Sequence, residues 1–589
     1  MVISTRKTFL QGLGFGAGSA FAAPSVWAKM RKPVFRAGLL TDTHIHDKPQ
    51  TCAHVGKAME LFAREKVDVI CHLGDLANEF APAGFAEYRA CIDRAFGRKP
   101  PLTLYAFGGH DRNGYKLQPG EKSREEAVFA IMREKMKFAH ELIDTVEFRG
   151  YSFVIVQEYF SAWRKEVEER VDKAVAAHPG RPVFVLEHEP AWNTTCDSVV
   201  WGNRRMREIC ERHPEVIHLS GHNHGALRDE RSIWQGAFTE INLGCMNAWS
   251  GEEANVCTRR DDWVSKPGQD VCVMEVYPDE VVFRRFSLFD GAECRPLDPW
   301  TIPVPHVPAK APYAPVARKA RSKAPVWPKG AAVTAIWQDA GKFRGFAVSV
   351  PNARHREDPF RYTAELFAQE KGKWTRVTVK ERMGEFWKLP ESARSAAVLF
   401  EFPDGYFLSN GKYRFVIRPM DFYGNFGKPL SAEVTAPAFE PAAERVWSAA
   451  DPMSCCSFST HSWGSDRKPC AVGTDGFVDL ARDMASIDLP AEATIAADVP
   501  VGTDFRLSYT LDDRHADNTG WLVQNENAES GKRLGFRYIQ SVQGSAGPVR
   551  YVTYLTKKES GPLPVRIGLM YGDRGARLRL SDIVLERLK

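Results

Sequence analysis

The chain has 589 residues, 44% hydrophobic, 26% charged and 11% aromatic, with 45 glycines and 37 prolines. A single core rarely grows past ~250–300 residues, so this length calls for several domains, and the near-average composition excludes collagen-like, coiled-coil and wholly disordered chains. Lys and Arg (79) exceed Asp and Glu (74) by only five, which is far from the basic field that nucleic-acid binding uses. The twelve cysteines show no CxxC pair or small disulfide framework.

Residues 1–28 read as an export signal. Arg6 and Lys7 precede an apolar stretch from Phe9 to Ala22, and small residues offer cleavage points after Ala22 or Ala28. Thr5-Arg6-Lys7-Thr8-Phe9-Leu10 resembles a twin-arginine signal with lysine as its second base, which implies a periplasmic or extracellular protein. No later stretch reaches the ~18 consecutive apolar residues of a membrane span, so no anchor is expected.

From Val34 to Leu288 short apolar runs alternate with amphipathic patterns. Val34–Leu40, Val67–Leu73, Leu102–Phe107, Phe153–Val156, Val183–Leu186 and Val216–Leu219 read as strands. Cys52–Glu65, Phe85–Phe96, Arg124–Leu142, Ala162–Ala177 and Arg204–Arg212 read as helices. Val271–Val276 and Val281–Phe286 flank a Tyr-Pro-Asp-Glu turn and read as a hairpin. Alternation of this kind predicts a layered α/β domain over 33–294. Residues 295–330, rich in proline, read as an extended linker or a strap on a neighbouring domain. Beyond it, short alternating strands predict two all-β sandwiches, at 331–438 and 445–589. The segment Arg414–Asn425 resembles part of a fibronectin type III module, and Ala576–Glu586 resembles the last strand of jelly-roll carbohydrate-binding modules. Trp447, Trp463, Trp521, Tyr538, Tyr551 and Tyr554 serve either a sandwich core or a sugar-stacking platform, and Cys455, Cys456 and Cys470 are candidates for a disulfide.

Five short motifs fall at the ends of expected strands in the first domain. They are Asp42-Thr43-His44, Gly74-Asp75, Gly108-Gly109-His110-Asp111, His188-Glu189-Pro190 and Gly221-His222-Asn223-His224. Loops after strand ends form one rim in layered sheets, so these side chains can converge. Two aspartates and several imidazoles suit Mn, Fe or Zn better than oxygen-only Ca or Mg sites.

Taken in order, DxH, GD, GxHD, HxP and GHxH resemble the calcineurin-like metallophosphoesterases over residues 35–290. The resemblance implies two divalent transition metal ions. Asp42, His44, Asp75 and His224 would surround one, and Asp75 would bridge to a second that also takes His188 and His222. It further implies that His110 stands beside the leaving group, that Asp111 orients it, and that a hydroxide held by the metals attacks phosphorus. One position departs from the family pattern. Asn usually precedes the third-motif histidine and ligates the second metal, but Gly109 stands here, which weakens that site unless a group such as Asn113 substitutes. Gly109→Asn is then expected to tighten the second metal. Asn78 is a candidate substrate contact; the purple acid phosphatase branch has Tyr there. Trp192 is a candidate pocket wall and His46 a solvated loop residue.

The expected function is therefore metal-dependent hydrolysis of a phosphomonoester or phosphodiester by an exported enzyme, with no nucleic-acid substrate. The alternative is a catalytically degenerate surface protein whose C-terminal β-modules bind glycans.

Overall fold

A computed structural model describes residues 31–588 apart from 47–51, 159–163, 197, 250–265, 268, 289–291, 294–297, 341–342, 389–393, 441–442, 463–465, 481–483, 516–520, 528–537, 544–546 and 572–574. The export signal lies outside these residues.

The first domain is built on two mixed sheets. In one, β1 (Phe35–Leu40), β2 (Val69–Leu73) and β3 (Leu102–Ala106) run parallel, and Asp270–Val276 and Glu280–Ser287 extend the sheet antiparallel beyond β1. In the other, the order is β4 (Asp144–Phe148), β5 (Tyr151–Ile155), β6 (Val183–Leu186), β7 (Val216–Ser220), β9 (Thr239–Asn242) and β8 (Ile233–Gln235), with β5, β6, β7 and β9 parallel. The sheets face each other through Phe35, Leu39, Val69 and Leu73 on one side and Phe153, Phe184, Leu186 and Leu219 on the other. Helices α1 (Ala53–Glu65), α2 (Pro82–Phe96) and α3 (Arg124–Met136) cover the outer face of the first sheet. Helices α4 (Arg164–Ala177) and α5 (Arg204–Cys210) cover that of the second. Central strands buried on both faces are mostly apolar, with His72, Thr103 and His218 among the buried exceptions, which is why they stand out as runs rather than as alternations.

Two local expectations differ. The helix expected to reach Leu142 ends at Met136, where Lys137 turns left-handed (φ 57°) and its amide caps Arg133. Phe138 and His140 then fold inward against Phe129, and His140 Nε2 accepts the Tyr105 N–H at 3.0 Å. Strands β4, β8 and β9 escape a sequence reading because they carry Asp144, Glu147, Thr239, Glu240 and Asn242 rather than apolar runs.

The proline-rich stretch is built into the first domain as a strap. Trp300–Pro303 pair antiparallel with Glu280–Phe283 and add a strand to the first sheet. Tyr313 accepts the Thr301 N–H at 2.7 Å and donates its own amide to Gln235 (3.0 Å). A short helix, Pro315–Arg321, then buries Arg318 against Glu230, which also pairs with Arg285 at 2.7 Å, while Arg318 reaches the Tyr423 hydroxyl of the next module at 2.9 Å.

The second module packs a three-stranded sheet on a four-stranded one around Phe346, Phe400, Phe402, Phe415 and Ile417. The third packs five strands on six around Leu507, Tyr509, Tyr551, Ile567 and Leu585. Arg506 ties the two modules together through Asp404 (2.7 Å). Tyr551 and Tyr554 are buried and Trp447 packs partly against the core, so these three hold the sandwich together. The side chains of Trp463, Trp521 and Tyr538 lie outside the described residues. Cys455, Cys456 and Cys470 are free thiols. Among the described residues no helix is long and apolar enough to cross a membrane.

Candidate metal centre

The loops after β1, β2, β3, β6 and β7 meet at one rim, as their strand-end positions require. Their backbones are tied together directly: Asp42 N donates to Gly74 O (3.2 Å), His44 N to Asp75 O (3.1 Å) and Gly221 N to His188 O (2.9 Å). Gly74 is required twice over, by its positive φ of 91° and because a Cβ there would lie 2.7 Å from the His188 ring. Asp42, His44, Asp75, His222 and His224 all adopt left-handed conformations without being glycine. Such conformations cost of order 1–3 kcal/mol each and persist where surrounding structure enforces them.

The side chains form three overlapping groups of potential ligands: Asp42, His44 and His224; His44, Asp75 and His110; and Asp75, His188 and His222, with the donor atoms of each group within 4.8 Å of one another. His44 Nε2 lies 3.0 Å from His224 Nε2, and His222 Nδ1 lies 3.3 Å from His188 Nε2. Asp75 Oδ2 stands between the two clusters, 3.1 Å from His188 Nε2 and 3.9 Å from His44 Nε2. Asp42 Oδ1 is fully buried, 3.1 Å from His224 Nε2, yet accepts no well-aligned hydrogen bond. His188 donates Nδ1–H to Leu73 O at 2.7 Å, which leaves Nε2 facing the cluster with its lone pair. That backbone contact is the support a ligating imidazole usually has. An orphaned buried carboxylate oxygen and converging imidazole nitrogens fit divalent cations.

The electrostatics agree. Burial opposes ionisation of Asp42 and Asp75, but His224 and His188 hold the first, and His188 the second, well below the usual carboxylate range. Burial likewise opposes charge on His188, and Asp75 and Asp42 outweigh it. His222 goes the other way, down to about 3, through burial and the neighbouring His188. The cluster keeps its carboxylates ionised by gathering positive charge around them, as bound cations do.

Three expected roles change, those of Asp111, Asn113 and Trp192. Asp111 does not touch the His110 ring; it is fully buried and accepts N–H groups from Ala77 (2.8 Å) and Gly108 (3.0 Å), so it braces the loop backbone. The His110 ring is oriented by Asn78, whose backbone carbonyl accepts Nδ1–H at 3.1 Å. Asn113 is exposed and stands 3.4 Å from His110 Nδ1, so it belongs with that ring and not with Asp75, His188 and His222. Trp192 packs under Arg204 and donates to Val199 O, whereas Trp201 sets its ring edge-on to His222 at 6.1 Å. Trp201 carried no sequence signal, since it ends a four-residue helix, Ser198–Trp201, that belongs to none of the motifs. Glu158, buried after β5 with its carboxylate on the Gly109 N–H, carried no sequence motif and was missed too.

Residues 35–226 match the model of the calcineurin-like phosphoesterases. This part of the chain is a calcineurin-like phosphoesterase domain. Similar solved structures include a dimetal phosphatase from Danio rerio, 12% identical, covering 46% of this chain and 99% of that one with a TM-score of 0.33. A purple acid phosphatase from yellow lupin (Lupinus luteus) seeds is 14% identical over 46% of this chain at a TM-score of 0.34, and the match spans 54% of its length. An N-terminal cellulose-binding domain of Cellulomonas fimi β-1,4-glucanase C is 16% identical, covering 26% of this chain and 99% of that one at a TM-score of 0.18. No curated protein matches the chain.

Proposed function

We propose that the first domain hydrolyses phosphate esters, mono- or diesters, with two divalent transition metal ions. The observation that carries this reading is the placement of Asp75 between two imidazole clusters. Asp42, His44 and His224 would hold one cation and His188 and His222 the other, with Asp75 shared. Bound cations of this kind lower the pKa of a ligated water to roughly 7 and polarise phosphoryl oxygens. The chain supplies the rest. Asn78 O fixes the His110 ring through Nδ1–H, so that in the imidazolium form, which carries both protons, Nε2–H is left to donate to the departing ester oxygen. Asp111 and the Gly108 and Ala77 amides hold the loop that carries His110.

The same reading takes residues 1–28 as an export signal, which places the reaction in the periplasm or outside the cell; N-terminal sequencing of protein recovered from those compartments tests it. Metal analysis combined with turnover of 4-nitrophenyl and bis(4-nitrophenyl) phosphate tests the chemistry. Protein that binds no Mn, Fe or Zn and turns over neither ester would sink it. In that event glycan arrays on the C-terminal β-modules decide for the rival binding role.

A further inference from the structure

The loop from Gly108 to His110 directs three successive backbone N–H groups to three carboxylates. Gly108 donates to Asp111 at 3.0 Å, Gly109 to Glu158, and His110 to Asp75 Oδ1 at 2.9 Å. Asp111 is occupied in bracing Ala77 and faces the backbone. Asp75 and Glu158 are therefore carried by neighbouring amides of one loop. Glu158 is 3% exposed, and its own amide donates to Phe107 O at 3.1 Å, which ties the end of β5 to this loop.

Gly109 has φ −63° and ψ −35°, an ordinary right-handed conformation open to any residue. The backbone does not demand glycine. Glu158 crowds the position instead: a Cβ at position 109 would lie 3.0 and 3.1 Å from its two carboxylate oxygens, which would have to give way. The space a residue-109 side chain would enter is already filled by an acid from another strand. The cluster next to it, Asp75, His188 and His222, brings three ligand atoms within 4.8 Å of one another. Glu158 falls outside that grouping and would join it by rotating its carboxylate away from the Gly109 amide.

We propose that Glu158 is the fourth protein ligand of the second cation, delivered from β5 in place of a side chain at position 109. The inference rests on the two-metal reading above. It has a chemical consequence: an anionic carboxylate replaces a neutral carboxamide, so the second site carries more negative charge and favours harder cations such as Mn²⁺. It also reverses one expectation, since Gly109→Asn alone would push Glu158 aside rather than add a ligand.

Mn²⁺ titration of the metal-free full chain, with elemental analysis and electron paramagnetic resonance, tests the assignment. The wild type is expected to bind two ions and show a spin-coupled pair. Glu158→Gln is expected to keep one tight ion, weaken the second by ~10-fold or more and show a single-ion spectrum. Glu158→Ala combined with Gly109→Asn is expected to recover the second ion and the coupled signal. A Glu158→Gln chain with wild-type circular dichroism that binds two ions unchanged, or that loses both, overturns the role of Glu158. A wild type that binds only one ion overturns it too. A wild type that binds none overturns the phosphoesterase reading itself.

Discussion

The rim of the first domain and the turns of the β-modules both contain left-handed non-glycine residues, for opposite reasons. At the rim they are Asp42, His44, Asp75, His222 and His224, the side chains that converge on the candidate metal centre. In the modules they are Asp358, Lys371, Asn410 and Asp582, in loops, tight turns or a strand irregularity. Replacement by glycine would relax either set. In the turns the side chains carry no chemistry, though Asp358 pairs with Arg394 at 2.9 Å, whereas at the rim the side chain is what the strain is kept for. Backbone strain marks function only where it coincides with chemistry-bearing residues. Buried charge does not divide this way. The first domain encloses Glu187, His218 and Glu240 in contact, and the modules bury Arg506 with Asp404 where they meet but also Arg361, Asp513 and Lys557 within themselves.

The contrast is broken most severely by Asp42→Gly, which relaxes the backbone and removes a ligand. Aryl phosphate turnover is expected to fall to background and elemental analysis to show at most one ion. His110→Ala should lower kcat by ~10²–10⁴-fold with metal content unchanged, which separates the leaving-group role from ligation. Away from the rim, Glu230→Ala leaves Arg285 and Arg318 as buried charges without their carboxylate. A loss of about 3–5 kcal/mol in urea unfolding is expected.

A smaller effect concerns pH. His218 Nδ1 lies 2.5 Å from Glu240 and Nε2 lies 3.3 Å from Glu187; burial alone would lower its pKa, but the two acids push it up to about 10. A raised folded-state pKa stabilises fully below the unfolded value of about 6.5 and is lost as pH climbs towards 10. The stability gap between wild type and His218→Asn should therefore narrow over that interval in thermal melts. The smallest expected change is Lys371→Asn. Lys371 and Gly372 both have positive φ in the two-residue hairpin between Glu370 and Lys373, and Asn-Gly suits that turn best. A gain of about 0.5 kcal/mol with unaltered turnover would confirm that strain in the turns is incidental.

Much of the first domain was legible because its central strands are mostly apolar and its ligands follow them directly. Asp42, Asp75, His188 and His222 were placed at the rim by that rule together with the ordered motifs, and their ligand roles followed from the family resemblance. Glu158 lies after β5, but without an accompanying short motif the acid gave no reason to be singled out. The roles of Asp111 and Asn78 were not legible, since they depend on a carboxylate reaching backbone N–H groups and on a main-chain carbonyl. Strand β4 was hidden because Asp144, Thr145 and Glu147 are half-buried or exposed and break any apolar run. Strands β8 and β9 were hidden because buried Gln235, Thr239, Glu240 and Asn242 hydrogen-bond to neighbours instead. The strap looked like a linker because its prolines suppress periodicity, while its docking depends on single contacts made by Trp300, Tyr313 and Arg318.

That strap sets the unit in which this protein can be inherited or rearranged. A cassette ending before residue 295 would carry all the candidate ligands but leave the Glu280–Phe283 edge without its partner strand and Glu230 without Arg318. Recombination that shuffles this chemistry into another architecture would have to take the strap along. Because Arg318 also engages Tyr423, it would face a choice between bringing the second module and finding a substitute for it. The boundary drawn by chemistry and the boundary drawn by folding lie in different places along this chain.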